Sequence, residues 1–330
     1  MIIVMSTKAG DTEVQKVVDL LEGRGYGHHI SRGVERTLIG AIGTADGEKR
    51  TLAEQLMTMQ GVERVVPIVR SYKLVSREHQ EQTSVVYIGS APFGRGNIGM
   101  IAGPCAIESA EQTVTAAKAV KDAGATVLRG GAFKPRTSPY DFQGLGEEGL
   151  KILAEAGRQT DLPTVTEARE ARHIDLVARY ADAIQIGARN MQNYDLLQAA
   201  GETGLPIILK RGLSATVEEW LKAAEYVASV GNLNIIDLAG MVAAKNETHL
   251  PIIVDPSHST GHHSLVAPMT LAALASGADG VMIEVHPHPD RALCDSLQQL
   301  TPRNFTRLMD RVRDLSSAMG LQLGNTAREA

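Results

Sequence analysis

Eight apolar runs, most of them followed by an amphipathic helical stretch, predict an α/β chain that closes as a (β/α)8 barrel of the TIM type over residues 85–330. A different rhythm in residues 1–72 predicts a small N-terminal ferredoxin-like α+β domain, in the order β-α-β-β-α-β. Between them, residues 73–84 ("KLVSREHQEQTS") carry many polar groups and few apolar anchors, which reads as a linker.

In the first module, residues 2–6 form an apolar strand, and "TEVQKVVDLLEGRG" repeats its apolar positions at helical spacing before stopping at glycine. "GHHISRG" and "ERTLIGAIG" read as two short strands joined by a turn. The helix "EKRTLAEQLMTM" and the strand "VERVVPIVR" complete the order. In the second, the strand runs are "GMIAG", "ATVLRG", "PTVTEA", "AIQIG", "PIILKRG", "LNIIDLA", "PIIVDPS" and "GVMIEVHP". Continuous apolar strands suit a parallel sheet covered by helices such as "TVEEWLKAAEYVASVG". The alternative is an open doubly wound sheet. A dinucleotide-binding version would need G-x-G-x-x-G directly after a strand, and the chain has none in that setting.

At 330 residues the chain is long enough for one large domain and one small one. Its 33 basic residues against 38 acidic ones give a net charge of −5, which argues against nucleic acid as a partner. Two cysteines are too few for a disulfide framework and point to a reducing, cytoplasmic location. The apolar run at the N-terminus meets charge at once, and no segment has the roughly 18 uninterrupted apolar residues that membrane spanning requires.

Barrel chemistry sits at the C-terminal ends of strands, and the residues closing these runs are polar: Cys105 and Glu108, Arg129, Glu167, Arg189, Lys210 and Arg211, Asp255 and His258, and Glu284. Cations converging on one mouth repel each other unless something anionic neutralises them. Arg129, Lys134, Arg189 and Lys210 suit a small ligand carrying both phosphate and carboxylate; the alternative is a solvated rim. A second set, Cys105, His258, Glu284 and Asp295, offers sulfur, nitrogen and oxygen donors for one divalent metal ion, with Mn, Fe, Zn and Co all open. Cys105 could instead be a small buried hydrophobe, and Cys294 is read as one. His262, His263, His286 and His288 are given no ligand role, and His286 is the first of them to test.

Six motifs occur in order: "GPCAIES", "KPRTSPYDFQG", "IGARNMQN", "ILKRG", "DPSHSTG" and "EVHPHPDRALCD". With them, the chain from about Val85 to its C-terminus resembles the 3-deoxy-D-arabino-heptulosonate-7-phosphate (DAHP) synthases. The N-terminal module is similar to the ferredoxin-like regulatory domain of one subgroup. The resemblance implies a metal-dependent, aldol-like condensation of phosphoenolpyruvate with erythrose 4-phosphate, the first step of the shikimate pathway. It implies that Cys105, His258, Glu284 and Asp295 bind the metal, with Cys105, His258 and Lys134 as the catalytic residues. Phosphoenolpyruvate would lie against Arg129, Lys134, Arg189 and Lys210 and the backbone of Gly187 and Ala188.

Erythrose 4-phosphate would lie against Arg136, Thr137 and Ser138, in a turn stiffened by Pro135 and Pro139. Lys134 is the candidate general acid, its pKa expected to fall beside Arg129, Arg136 and Arg189, and Glu167 is the candidate to orient water. The resemblance further implies tyrosine or phenylalanine as an effector of the N-terminal module and a homo-oligomer, with a tetramer as the family's habit.

One departure stands out. After "NLNIID" the family inserts a longer loop with a Glu-Arg-Gly turn whose arginine contacts phosphate, whereas this chain runs straight into "LAGMVAAKNETHLP". Three rival functions follow. A 3-deoxy-D-manno-octulosonate-8-phosphate synthase shares the barrel but carries an Asn-Arg-Ser-Ser type of turn where this chain has Lys134-Pro135-Arg136-Thr137-Ser138. A non-catalytic sensor of aromatic amino acids would need no metal. A general metal-dependent aldolase would not need cations for two phosphorylated substrates.

Overall fold

The structure is a computed structural model. It describes the chain except residues 34–35, 45, 67–71, 135–137, 231–233, 237–240 and 325–330, and in addition the side chains of residues 46, 47, 50 and 234–236. It divides into two compact units, Met1–Ser71 and Tyr72–Ala330.

The first unit runs β1 (Ile2–Met5), α1 (Asp11–Gly23), β2 (Gly27–Arg32), β3 (Thr37–Ile42), α2 (Asp46–Met57) and β4 (Val62–Val66). Its sheet has the antiparallel order β2-β3-β1-β4. Strand alternation sends Ile3 and Met5 to the covered face, with Ile3 opposite both Ile39 and Val65. Val14, Val17 and Leu21 of α1 and Leu52 and Leu56 of α2 pack into the same core. This is the ferredoxin-like arrangement expected from the sequence.

The second unit opens with a hairpin, β5 (Val86–Ile88) and β6 (Ala91–Phe93). The barrel follows: β7 (Asn97–Gly103), α3 (Ala110–Ala123), β8 (Val127–Arg129), α4 (Glu147–Thr160), β9 (Thr164–Ala168), α5 (Ile174–Ala178), β10 (Ala183–Ile186), α6 (Tyr194–Glu202), β11 (Ile207–Lys210), α7 (Val217–Ala228), β12 (Asn234–Ile236), α8 (Met241–Glu247), β13 (Ile252–Val254), α9 (Pro256–Thr260), α10 (His263–Ala275), β14 (Gly280–Glu284) and α11 (Pro302–Ala318). A short β15 (Gln322–Leu323) pairs with the start of β7. Strands β7 to β14 are parallel neighbours in sequence order, and β14 pairs back to β7 with Gly280 opposite Gly99. That pairing closes the ring and excludes the open sheet.

Ile101, Val127, Val165, Ala183, Ile208, Ile253 and Met282 of the barrel strands form one apolar cluster with Ile88, Ala91 and Phe93 of the hairpin. The sequence reading missed this hairpin, whose strands are only three residues long. Phe93 can enter because Gly99 has no side chain: a Cβ there would stand 1.9 Å from the ring. Outside the ring, α7 is tied to the barrel by Trp220, fully buried, whose Nε1 donates to the Leu209 carbonyl over 3.1 Å.

Residues 73–84, read from sequence as a linker, are bonded into the second unit. The backbone N–H groups of Leu74 and Val75 donate to the Glu225 carboxylate at 2.9 and 3.2 Å, and Arg77 Nε donates to the Lys245 carbonyl at 2.8 Å. His249 pins both ends. Its ring contacts the Leu74 carbonyl through Nε2 at 2.8 Å and the Ser84 hydroxyl through Nδ1 at 2.9 Å. A carbonyl only accepts, so Nε2 carries a proton; the Ser84 hydroxyl can donate to Nδ1, which makes both contacts available to the neutral imidazole. Burial lowers the His249 pKa below its ordinary value. The stability from this contact is therefore complete above the unfolded pKa of about 6.5 and is lost as pH falls through the lower folded value. The protection of residues 73–84, read as exchange relative to the intrinsic rate at each pH, is expected to fall as pH drops below about 6.5. The same measurement on His249→Gln should show a flatter pH dependence.

Candidate active site at the barrel mouth

The C-terminal ends of β7, β13 and β14 and the loop after β14 bring the predicted donor residues together. Cys105 Sγ lies 3.1 Å from Asp295 Oδ2, and His258 Nε2 lies 4.0 Å from the same oxygen and 3.5 Å from Glu284 Oε1. His258, Glu284 and Asp295 form one cluster with ligand atoms within 4.8 Å of one another; Cys105, Cys294 and Asp295 form a second. The thiol and imidazole thus share Asp295 as neighbour. The mixture of sulfur, imidazole and carboxylate fits a borderline divalent ion.

The imidazole is oriented from behind. Asp255 caps the short α9, accepting from the His258 backbone N–H through Oδ1 at 3.0 Å. Its Oδ2 lies 2.7 Å from His258 Nδ1 and accepts from Lys210 Nζ at 2.5 Å. A proton on Nδ1 leaves the Nε2 lone pair facing Glu284 and Asp295. Burial works to raise the Asp255 pKa, but His258 and Lys210 outweigh it and hold the carboxyl well below its usual range. Glu284, fully buried, is likewise opposed by burial yet lowered to about 2 by His258, Arg129 and Lys134.

A cavity of about 470 Å³ opens over these groups, lined among others by Lys134, Glu167, Arg189, Lys210, His258 and Asp295. Gly187 and Ala188 line it too, leading into a 3-10 turn that presents Arg189. Glu167 is held by Gln185 Nε2 at 3.1 Å and lies against Gly187, where an added Cβ would meet Glu167 Oε1 at 2.2 Å. Ser138 accepts from the Tyr140 backbone N–H at 3.2 Å, which shapes the turn it sits in. Pro135, Arg136 and Thr137, and the stretch from Asp237 to Gly240 where the family's loop would enter, lie outside the described residues.

Arg129 is not among the residues lining this cavity; its guanidinium donates to Glu284 Oε1 at 2.6 Å. Strand β8 ends at Arg129, and only β7 stands between it and β14, which ends at Glu284. One expectation needs correcting. The Lys134 pKa is not depressed. Burial lowers it, but the sulfurs of Cys105 and Cys294 and the Glu284 carboxylate raise it further, so the ammonium is favoured. Lys134 Nζ donates to Cys105 Sγ at 3.0 Å and to the Cys105 carbonyl at 3.1 Å.

Sequence reasoning also missed four participants. Gln298 Nε2 donates to Glu284 Oε2 at 2.7 Å, and Gln299 joins the Cys105 N–H to the Cys294 carbonyl at 3.1 and 2.8 Å. Cys294 is buried, as expected, but its sulfur lies 3.1 Å from that of Cys105. Asp141 lines the cavity. Two of the four were inside quoted motifs, Cys294 in "EVHPHPDRALCD" and Asp141 in "KPRTSPYDFQG", and Gln298 and Gln299 follow the first of these by three and four residues. His286 is buried with Nε2 3.5 Å from Glu108 and belongs to neither donor cluster.

A closed barrel with metal-type donors beside a ring of cations at its C-terminal mouth defines a barrel enzyme acting on small anionic substrates. The chain belongs to the DAHP synthetase I family, whose model matches residues 79–320, and it carries the DAHP synthase ferredoxin-like domain over residues 1–70. It is 42% identical to a phospho-2-dehydro-3-deoxyheptonate aldolase of Thermotoga maritima, over 98% of this chain and all of that protein. The crystal structure of the Thermotoga maritima DAHP synthase superposes with a TM-score of 0.79 at 40% identity, covering 98% of both chains. A 2-dehydro-3-deoxyphosphooctonate aldolase of Magnetococcus marinus is more distant, 30% identical over 70% of this chain and 93% of its own. Among the described residues, no helix is long and apolar enough to cross a membrane.

Proposed function

We propose that the chain condenses phosphoenolpyruvate with erythrose 4-phosphate to give DAHP and phosphate. The observation that carries this reading is one cavity in which Lys134, Arg189 and Lys210 face the same space as His258 and Asp295. Three cations suit a small ligand with phosphate and carboxylate groups, and neighbouring donors suit a divalent ion.

Cys105, His258, Glu284 and Asp295 would hold that ion, which when bound supplies Lewis-acid polarisation of the sugar aldehyde. The chain's own groups do the rest. Lys134, Arg189 and Lys210 fix the enolpyruvate so that its C3 faces the aldehyde carbon, converting an encounter of two solutes into a step within one complex. The new C3–C1 bond leaves C2 electron-poor. Water held by Glu167 adds there, and the tetrahedral phosphate hemiketal collapses by C–O cleavage to the ketone and phosphate. The ammonium favoured at Lys134 serves as a standing positive charge for the developing anion, a role better matched to its raised pKa than early proton donation.

The ferredoxin-like module is read as a regulatory domain for an aromatic amino acid, tyrosine or phenylalanine. One assay tests the whole reading: phosphate release from phosphoenolpyruvate with a divalent ion, with and without erythrose 4-phosphate. Release that requires the four-carbon aldehyde, stops with chelator and falls when tyrosine or phenylalanine is added is the expected result. Release only with arabinose 5-phosphate would move the chain to the octulosonate reaction, and no aldehyde-dependent release would remove the catalytic reading.

A further inference from the structure

We propose that Cys294 is a further donor of the metal site, creating with Cys105 and Asp295 a soft half-site that favours a thiophilic ion such as Zn²⁺ or Cd²⁺ over Mn²⁺. The proposal rests on the metal-dependent reading above and deepens it by naming the class of ion.

Three features carry it. The Cys294 and Cys105 sulfurs are 3.1 Å apart, and Asp295 Oδ2 lies 3.1 Å from the Cys105 sulfur, so two consecutive residues converge on one atom. In extended chain, neighbouring side chains point to opposite sides. Asp295 instead takes a left-handed backbone with φ 50°, uncommon for a residue with a side chain, and this breaks the alternation. Gln299 then braces the backbones of both cysteines with one amide, fixing the two loops against each other. Both sulfurs are buried, at 0% and 3% exposure.

The donor chemistry sorts into two sides that share Asp295. His258, Glu284 and Asp295 offer nitrogen and oxygen; Cys105, Cys294 and Asp295 offer two sulfurs and an oxygen. Thiolates select zinc-like ions, while carboxylates leave manganese competitive. Two sulfurs on a tetrahedral zinc with bonds of ~2.3 Å stand roughly 3.8 Å apart, so the pair would open by less than about 1 Å. Lys134 Nζ, 3.0 Å from the Cys105 sulfur, stands where it offsets the added negative charge.

The test is ¹¹³Cd²⁺ bound to the reduced, chelator-stripped full chain. The expected ¹¹³Cd resonance is that of a two-sulfur site, and the ultraviolet thiolate-to-cadmium band should halve in Cys294→Ser and in Cys105→Ser. Cd²⁺ affinity should fall at least tenfold in Cys294→Ser and in Cys294→Ala, with Mn²⁺ affinity changed less than about twofold. A one-sulfur resonance in the unaltered chain would overturn the proposal without any variant. So would a band lost in Cys105→Ser but whole in Cys294→Ser, which leaves the metal-dependent reading standing. No binding of Cd²⁺ or Mn²⁺ at all would end both.

Discussion

Glu284→Ala is expected to destabilise the second unit by about 3–5 kcal/mol at neutral pH and to abolish metal-dependent turnover. Glu284 is fully buried, and its carboxylate is the ion-pair partner of Arg129, whose side chain is 6% exposed. Removing one member of such a pair leaves a charge in a site that cannot hydrate it. Gln298 loses its acceptor at the same time. Linkage gives the same sign. A carboxyl lowered to about 2 contributes stability above its unfolded pKa, near 4.3, and loses it as pH falls through the folded value. The advantage of the native chain over Glu284→Ala should therefore shrink in acid. Urea unfolding of Glu284→Ala, Arg129→Met and the double variant separates pair from packing. The double variant should be less destabilised than the two single costs added, by about 2 kcal/mol or more. Strict additivity would show that the pair is not what Glu284→Ala breaks.

The sequence displayed the barrel because parallel strands covered on both faces must be apolar throughout, and runs such as "PIILKRG" and "PIIVDPS" carry that signature without help from distant residues. The hairpin β5–β6 carries none. Three residues give no period to read, and Pro92 in β6 argues locally against a strand. What fixes the hairpin is the space left by Gly99 and Gly280, which only the closed ring defines. The site divides the same way. Residue types at strand ends were legible, since each follows an apolar run. Pairings were not: Arg129 with Glu284 spans 155 positions, and the Lys134 pKa turns on the approach of two sulfurs from separate loops. Counting like charges nearby gave the wrong direction for Lys134 because it left out the two sulfurs and the Glu284 carboxylate that the fold brings up to the ammonium. Residues 73–84 misled for a related reason. Polarity that suggests solvent is equally suited to partners such as Glu225 and the Lys245 carbonyl.

The second large effect is expected from Asp255→Asn, a change of shape by almost nothing. Asp255 is 7% exposed and accepts at once from the His258 backbone, the His258 ring and Lys210. Asparagine can keep the oxygen that caps α9, so the helix start should survive. Its amide nitrogen would then face Lys210 Nζ and His258 Nδ1, and donors cannot satisfy donors. The least costly response is for the imidazole to move its proton to Nε2, where Glu284 Oε1 stands 3.5 Å away to accept it. That tautomer has no Nε2 lone pair for an ion. Loss of such an outer partner costs about 10–100-fold in metal affinity. Lys210 also loses its counter-charge, so binding of phosphoenolpyruvate should change separately from metal binding. Isothermal titration with Mn²⁺ and with phosphoenolpyruvate, beside a far-ultraviolet spectrum equal to that of the native chain, would read the two effects apart. Native Mn²⁺ affinity in Asp255→Asn would mean that the His258 ring is oriented by Glu284 and Asp295 in front of it and not by the carboxylate behind.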